Sequence, residues 1–358
     1  MSLLFCLSLF IKGFAQDEMP TIGVGVTTHF GAILPHRPLI NEIIGGHTQA
    51  YEFSFYKPTY GKKEWQKLYS YPKVGVSVLF MGLGNPQKLG KAYGIFPYID
   101  LPLNKKKVVS WRLKIGYGIA YIENPFNRET NFKNVAIGSH INALLYINTG
   151  WSLKLSNSIS TNLGLSLIHF SNGSFSRPNL GLNIFSLNTG VSYQFGEKKA
   201  LIKADLEERP HQWRKKIMLG FGIKEIPPAE GPKYVVSSYS FNLIKTRATK
   251  SSYGFGVDAF YNSSLTVLLN KDSSTTSTSN LDNLRLGLVG IYSFDFGKIS
   301  LLVEMGGYVY SKYKGNGFIY HRISSRYNVT EKIFLNMGLK THFAVADFVE
   351  FGIGYNLK

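Results

Sequence analysis

The segment HFSNGSFSRPNLGLN, residues 169–183, connects two stretches in which apolar and polar residues alternate. The side chains of a β-strand point to the same face at every second residue, so this alternation predicts two strands. In the stretch that ends at Ser171, the side chains of His169 and Ser171 lie on the same face as apolar residues. In the stretch that begins near Asn183, the side chain of Asn183 also lies on the apolar face. The apolar members of these two rows include Leu163, Leu165, Leu167, Phe185 and Leu187. Three polar side chains are therefore expected at the ends of two apolar rows.

The same alternation recurs along most of the chain. It is clearest in residues 107–122, where aromatic and aliphatic side chains occupy one face and Arg112, Lys114 and small residues occupy the other. The 358 residues include 36 Gly and 14% aromatic but only 17% charged residues, a composition that favours β structure. After the N-terminus no apolar run reaches the roughly 18 residues of a membrane-spanning helix. A chain of this kind can cross a membrane only as a closed β-barrel.

The connections between the expected strands alternate in length. The short turns lie near residues 104–106, 156–157, 196–199 and 297–298. The longer, polar connections are residues 35–47, 123–135, 172–180 and 270–282. Outer-membrane barrels have short periplasmic turns and longer external loops. We therefore predict an all-β fold, a transmembrane antiparallel β-barrel of about 12–16 strands in the outer membrane of a Gram-negative bacterium.

The N-terminal residues 1–15 are predicted to be a secretory signal peptide, because an apolar core is followed by the small residues Gly13 and Ala15. Cleavage there would also remove Cys6, which is the only cysteine. The exported chain would then have no disulfide and no thiol nucleophile.

Residues 16–358 are predicted to form a single β-barrel domain. Residues 199–213 interrupt the alternation and separate two parts of this domain. The first part, residues 16–196, carries the candidate site, and residues 214–358 add further strands.

The chain has 40 Lys and Arg against 22 Asp and Glu, a net charge of +18 that favours an anionic partner. We find no helix-turn-helix pattern, no zinc-ligand spacing and no aromatic RNA-binding signature, and therefore expect no nucleic acid partner. An exported protein meets anionic membrane surfaces instead, including phosphorylated glycolipids. No His, Asp and Glu cluster has metal-ligand spacing, so we expect neither a metal nor another cofactor.

The residues of the central segment have the chemistry of an esterase. His169 and Ser171 point to the same side of a strand, and a neutral imidazole can take the serine proton during attack on an ester carbonyl. Asn172 and Gly173 are candidates for the donors that stabilise the resulting oxyanion. An H-x-S pair alone is common, so the surrounding sequence has to support the interpretation.

The full segment HFSNGSFSRPNLGLN resembles the active-site segment of the PagL-type lipid A deacylases, also called acyloxyacyl hydrolases. The preceding NVAIGSHIN and the following LNTGVSYQF resemble the longer, Bacteroidetes-type branch, and the resemblance covers residues 107–196. It implies an outer-membrane barrel that hydrolyses an acyl ester of lipid A or lipopolysaccharide, with outer-membrane lipid around it. It also implies that His169 is the base and Ser171 the nucleophile.

The resemblance places the acidic member of the family's triad on Asn183, where this chain has an amide. We expect Asn183 to orient His169. Leu167 and Phe185 are expected to contact the acyl chain. Arg177, with Arg128 and Lys133 in the neighbouring loop, is expected to hold lipid A phosphates.

Two alternatives remain open at this point. The first is a non-catalytic barrel, either porin-like or structural, which is favoured by the absence of an acidic residue at position 183. A barrel of about 16 strands is wide enough for an aqueous channel. A soluble β-sandwich is the second alternative. In either membrane interpretation the strand pattern directs His140, Asn142, Glu304 and Glu350 toward the interior, with Arg112 or Lys114 as partners of the two glutamates.

Overall fold

The computed structural model describes residues 21–104, 108–197, 199–203, 212–248, 250–271, 279–343 and 345–357. The expected signal peptide, residues 1–15, lies outside the described residues, as does most of the 270–282 loop. Within these ranges the chain forms sixteen antiparallel strands, which confirms the predicted all-β fold. No helix in this part of the chain is long and apolar enough to span a membrane.

The first eight strands form one closed barrel, in which each strand pairs with its neighbours in sequence and β8 pairs with β1. These strands are β1 (Ile22–Ile33), β2 (Thr48–Pro58), β3 (Lys73–Gly82), β4 (Lys91–Pro102), β5 (Val109–Ile122), β6 (Ile141–Lys154), β7 (Ile159–Ser171) and β8 (Leu182–Phe195). Two short helices, α1 (Pro38–Asn41) and α2 (Glu64–Leu68), lie in its connections.

The other eight strands form a second closed barrel, in which β16 pairs with β9. They are β9 (Trp213–Glu225), β10 (Lys233–Ala248), β11 (Ser251–Asn262), β12 (Leu284–Phe296), β13 (Ile299–Ser311), β14 (Ile319–Asn328), β15 (Ile333–His342) and β16 (Val345–Leu357). Helix α3 (Ser264–Lys271) follows β11.

The expectation of a single barrel over residues 16–358 differs from this topology. The strand count agrees with its upper end, but the sheet closes after the eighth strand, because β8 pairs with β1 from Ile22↔Phe195 to Ile33↔Ile184. Alternation along a strand determines which face meets lipid, but it does not determine which strand closes the ladder. The interruption at residues 199–213 therefore marks the connection between two barrels.

Both barrels carry apolar side chains outward. On β7 and β8 the exposed residues include Leu163, Leu165, Phe185 and Leu187, as the alternation predicts. One end of the barrels carries the short turns near residues 104, 156 and 297, and we call it the periplasmic end, as the turn lengths predict. Near this end Trp111 and Trp151 form an edge-to-face pair with ring centroids 4.6 Å apart. An outward apolar band with aromatic residues at its margins is typical of barrels in the outer membrane.

The interior of the first barrel is filled by side chains. Glu52 is buried, forms an ion pair with Lys114, and accepts a hydrogen bond of 2.7 Å from Ser77 Oγ. Tyr146 stacks on Phe96 in the same layer, with ring centroids 4.8 Å apart. An eight-stranded barrel has an interior just wide enough for such packing.

The interior of the second barrel is centred on Arg322, which is 1% exposed. Its guanidinium forms ion pairs with Asp258, with Glu304 at 3.2 Å and with Glu350 at 3.4 Å. The glutamates are therefore interior charges as predicted, but the expected partners Arg112 and Lys114 lie in the other barrel, where Arg112 pairs with Asp100 at 2.9 Å. On the periplasmic side of this layer lies a cavity of about 730 Å³.

The two barrels contact each other at both ends. At the periplasmic end Tyr69, just after α2, stacks on Phe296 with ring centroids 4.2 Å apart and donates a hydrogen bond of 2.9 Å to Lys250 O. At the external end Arg128 forms an ion pair of 3.1 Å with Glu230. The long periplasmic connection 59–72 is thus part of the contact between the barrels.

Candidate active site

His169 and Asn183 lie opposite each other on neighbouring strands. The β7–β8 register pairs them directly, and the pattern of both strands directs them to the outward face. His169 Nδ1 donates a hydrogen bond of 2.6 Å to Asn183 Oδ1, since an amide oxygen can only accept. The proton on Nδ1 leaves Nε2 as the nitrogen with a free lone pair, which is the tautomer that a general base requires.

Asn183 also binds a second histidine, His36, in the connection after β1. The Asn183 amide nitrogen donates to His36 Nδ1 at 3.1 Å, and His36 Nε2 donates to Leu180 O at 3.0 Å. The orientation of the amide is therefore determined from both sides. The sequence did not indicate this contact, because 147 residues separate His36 from Asn183 and no motif connects them.

Ser171 is the last residue of β7 and lies two residues beyond His169 on the same face. It is 6% exposed, and thus better shielded than the leucines of the same row. Within the described residues no hydrogen bond joins Ser171 Oγ to His169 Nε2. Such bonds are often long in free enzymes and shorten when substrate binds, so the arrangement is compatible with a serine–histidine pair.

Asn172 is buried and organises the loop that follows Ser171. Its backbone N–H donates to Asn179 Oδ1 at 3.0 Å, and its side-chain nitrogen donates to Ser139 Oγ at 3.0 Å and Ser176 O at 2.9 Å. Its side-chain oxygen accepts from Ser176 N at 3.3 Å. The geometry differs from the expectation that Asn172 donates to an oxyanion, because all of its donors are already engaged.

Gly173 has a left-handed backbone with φ of +62°, a region that favours glycine. Its N–H has no hydrogen-bond partner in the described part of the chain. Of the two expected oxyanion donors, Gly173 is therefore the one that remains free to bind a ligand oxygen.

Leu167 and Phe185 are directly opposite each other, one pair further into the membrane than His169 and Asn183. Phe185 is exposed, and Leu167 is partly exposed. The two side chains thus form an apolar surface directly beside the polar pair.

The expected phosphate ligands lie in different surroundings. Arg177 is partly buried, and its Nε donates to Glu225 O of the second barrel at 3.4 Å. Arg128 is committed to Glu230, and its terminal nitrogen donates to Ala229 O at 2.7 Å. Lys133 is exposed.

His140 is not directed into the barrel. It precedes β6, is exposed, and stacks on Tyr121 with ring centroids 5.1 Å apart, so the strand pattern does not apply to it. Asn142 lies within β6 and is buried, as expected, and donates to Ser139 O at 2.7 Å.

Two family models match the chain, one for each barrel. Residues 49–192 match the model described as lipid A 3-O-deacylase (PagL), and residues 213–358 match the model described as acyloxyacyl hydrolase, C-terminal domain. The resemblance to PagL-type deacylases is thereby confirmed. A comparison with curated proteins gave no match.

The solved structures that match the chain include outer-membrane proteins. The outer membrane enzyme PagL is 18% identical, with a TM-score of 0.35, covering 46% of this chain and 97% of that one. Neisserial surface protein A (NspA) is 12% identical, with a TM-score of 0.34, covering 49% and 97%. Omp33 of Acinetobacter baumannii is 9% identical, with a TM-score of 0.17, covering 95% and 97%. Each of the two barrels of this chain is thus similar to a known family, the first to the PagL lipid A 3-O-deacylases and the second to the acyloxyacyl hydrolase C-terminal domains.

Proposed function

We propose that this protein is an outer-membrane esterase that hydrolyses an acyl ester of lipid A, or of a related glycolipid, by a serine–histidine mechanism. The observation that carries the proposal is the 2.6 Å hydrogen bond from His169 Nδ1 to Asn183 Oδ1, two residues from an outward-facing serine. It gives His169 the tautomer of a general base at the place where a lipid ester would lie. The family model for this barrel supports lipid A as the substrate class.

In the proposed reaction Ser171 Oγ attacks the carbonyl carbon of the acyl ester while His169 Nε2 takes the hydroxyl proton. The oxygen that becomes negative is stabilised by the Gly173 N–H. His169 then gives its proton to the departing sugar alkoxide, which leaves the acyl group on Ser171. Water, activated by the same imidazole, hydrolyses this second ester and releases the fatty acid.

Asn183 replaces the carboxylate that the family pattern predicts. Its amide oxygen can orient His169 but cannot offset the charge of an imidazolium, so we propose a slow catalyst. In serine proteases the corresponding change from carboxylate to amide costs about 10⁴ in rate.

The protein is proposed to bind both the acyl chain and the phosphorylated headgroup of the lipid. The acyl chain would pack along Leu167 and Phe185, with its ester level with Ser171. In the part of the chain that the structure describes, the Arg177 guanidinium donates one hydrogen bond, from Nε to Glu225 O, and its terminal N–H groups would bind a lipid A phosphate.

The direct test expresses the protein in a Gram-negative host and compares lipid A by mass spectrometry for wild type, Ser171→Ala and His169→Asn. We expect loss of one acyl chain with the wild type and an unchanged lipid A with either variant. Ser160→Ala, at the periplasmic end of the same strand, is the matched control and should behave as wild type. Equal deacylation by Ser171→Ala and wild type would contradict the mechanism.

A non-catalytic barrel is the second candidate, and the amide at position 183 is the observation in its favour. In its porin-like form it would need an open lumen, whereas the described interiors of both barrels contain layers of buried side chains. In its structural form it predicts intact lipid A in the same experiment, with wild type and variants alike.

A further inference from the structure

The loop after Ser171 lies directly against the second barrel. We use the name oxyanion loop for residues 172–175, which connect Ser171 to the external part of the β7–β8 connection. Their contacts involve β9, the start of β10 and the start of β16.

Ser174 is held by two hydrogen bonds from the second barrel. Its hydroxyl donates to Ala346 O at 2.7 Å, and its carbonyl oxygen accepts from Glu225 N at 2.8 Å. The residue is fully buried and has a left-handed backbone with φ of +70°. A left-handed conformation is unfavourable for a non-glycine residue unless its surroundings stabilise it, and here the second barrel supplies the hydrogen bonds.

Gly173 approaches the second barrel so closely that an added side chain would collide with it. A Cβ atom added to it would lie 2.3 Å from Val349 Cγ2, well inside van der Waals contact. Val349 points outward from β16 and is partly buried. The position of the free Gly173 N–H is thus limited on one side by a residue of the other barrel.

Phe175 is anchored by a lysine from β10. Lys233 Nζ donates to Phe175 O at 2.5 Å and lies 4.8 Å from the centre of the Phe175 ring, while it also pairs with the buried carboxylate of Glu225 at 2.5 Å. A cation above an aromatic ring adds electrostatic attraction to the hydrogen bond.

We infer that the second barrel is the positioning element for the oxyanion loop, and that Val349 and Lys233 are positioning residues for the Gly173 N–H. The inference rests on the proposed function and adds a role for residues 213–358 to it. Two consecutive left-handed residues, Gly173 and Ser174, form a conformation that the loop alone would not favour. Contacts with the second barrel stabilise it, so the oxyanion donor is in place before substrate arrives.

The test uses the complete protein and two substitutions, Val349→Ala and Lys233→Gln. Displacement of a positioned group by about 1 Å can cost roughly 10²-fold in rate, so we expect kcat to fall about 10-fold or more and KM to change little. Val349→Ile and Lys233→Arg should restore most of the activity. Val303→Ala removes an exposed valine from β13 of the same barrel and is the matched control.

A readout without catalysis separates this inference from the proposed function. Hydrogen–deuterium exchange at the amides of residues 172–176 should be faster in Val349→Ala than in wild type and in Val303→Ala. Unchanged exchange together with unchanged kcat would overturn the inference while leaving an active wild type intact. A wild type that leaves lipid A unchanged would instead remove the proposed function, and the inference with it.

Gly173→Ala supplies a further test, because its Cβ would collide with Val349. We expect this variant to lose more activity than Val349→Ala, and the double variant to lose less than the two single effects combined. Contacting residues show such non-additivity, whereas independent sites do not. Additive losses would therefore contradict a direct contact between the loop and β16.

Discussion

Asn183 accepts a hydrogen bond from His169 Nδ1 at 2.6 Å, and on its other side it donates to His36 Nδ1. An amide is suited to this bridge because it has one acceptor atom and one donor group. A carboxylate at the same place would accept from both imidazoles and would require His36 to carry its proton on Nδ1. The residue at position 183 therefore favours one tautomer of each of these two histidines.

Removing the bridge should reduce activity strongly. Asn183→Ala leaves His169 free to rotate and to change tautomer, so we expect kcat to fall about 10- to 100-fold. Asn183→Asp should raise kcat at least about 10-fold, because a carboxylate stabilises the imidazolium that forms during attack. Both are measured as the rate of fatty acid release from lipid A in detergent micelles. Asn157→Ala, in the turn after β6, is the control, and an Asp variant slower than wild type would contradict the role of Asn183.

His36 should matter less than Asn183, but measurably. His36→Ala removes the acceptor of the Asn183 amide and should lower kcat about 3- to 10-fold with little effect on folding. His47 lies in the same connection, is exposed and contacts Phe30, so His47→Ala is a matched control. Equal activity of the two variants would show that the Asn183 amide is oriented by β8 alone.

Asn172→Ala separates a structural role from a catalytic one. Its side chain donates two hydrogen bonds and accepts one, so its loss should destabilise the loop by about 2–3 kcal/mol. Limited proteolysis should then cut the chain within residues 172–180 faster than in wild type. A variant with lower kcat but normal protease resistance would instead support Asn172 as an oxyanion donor.

Arg322→Met should damage the second barrel selectively. It leaves Asp258, Glu304 and Glu350 buried without their shared cation, which typically costs about 3–5 kcal/mol. The measurement is the temperature at which the protein loses its folded mobility on SDS gels, combined with proteolysis of each barrel. Arg247→Met, at an exposed position on β10, should have no such effect. Loss of the first barrel at the same temperature would mean that the two barrels unfold together.

Planar bilayers should show no steady conductance with the purified protein. The ion-pair layer around Arg322 fills the second barrel, and the layer around Glu52 fills the first. Channel openings comparable to those of a porin measured in the same bilayer would contradict this and revive the porin-like alternative.

Much of the fold could be predicted from the sequence because contact with lipid requires apolar side chains at alternate positions of each strand. Outward residues must be apolar, so Leu163 and Leu165 reveal the strand, its face and its approximate ends. This requirement does not specify which strands meet at closure, because β8 has the same pattern whether it pairs with β1 or with β9. The number of barrels was therefore not visible in the alternation.

The residues of the site that are close together in sequence could be predicted, and those that are brought together by packing could not. His169, Ser171 and Asn183 could be found because two-residue periodicity and one β7–β8 register place them together. His36 and Val349 could not, since both depend on packing between segments far apart in sequence. Asn172 has donors of the type that can stabilise an oxyanion, but the surrounding loop uses all of them.

Because His169 and Ser171 face outward, the substrate concentration that matters is its concentration within the membrane. Under the proposed function a lipid substrate would reach them by diffusing within the outer leaflet, so the rate would depend on the mole fraction of substrate in the membrane and not on its bulk concentration. Diluting lipid A with inert lipid or detergent at constant total substrate should therefore slow the enzyme, as surface dilution does for interfacial catalysts.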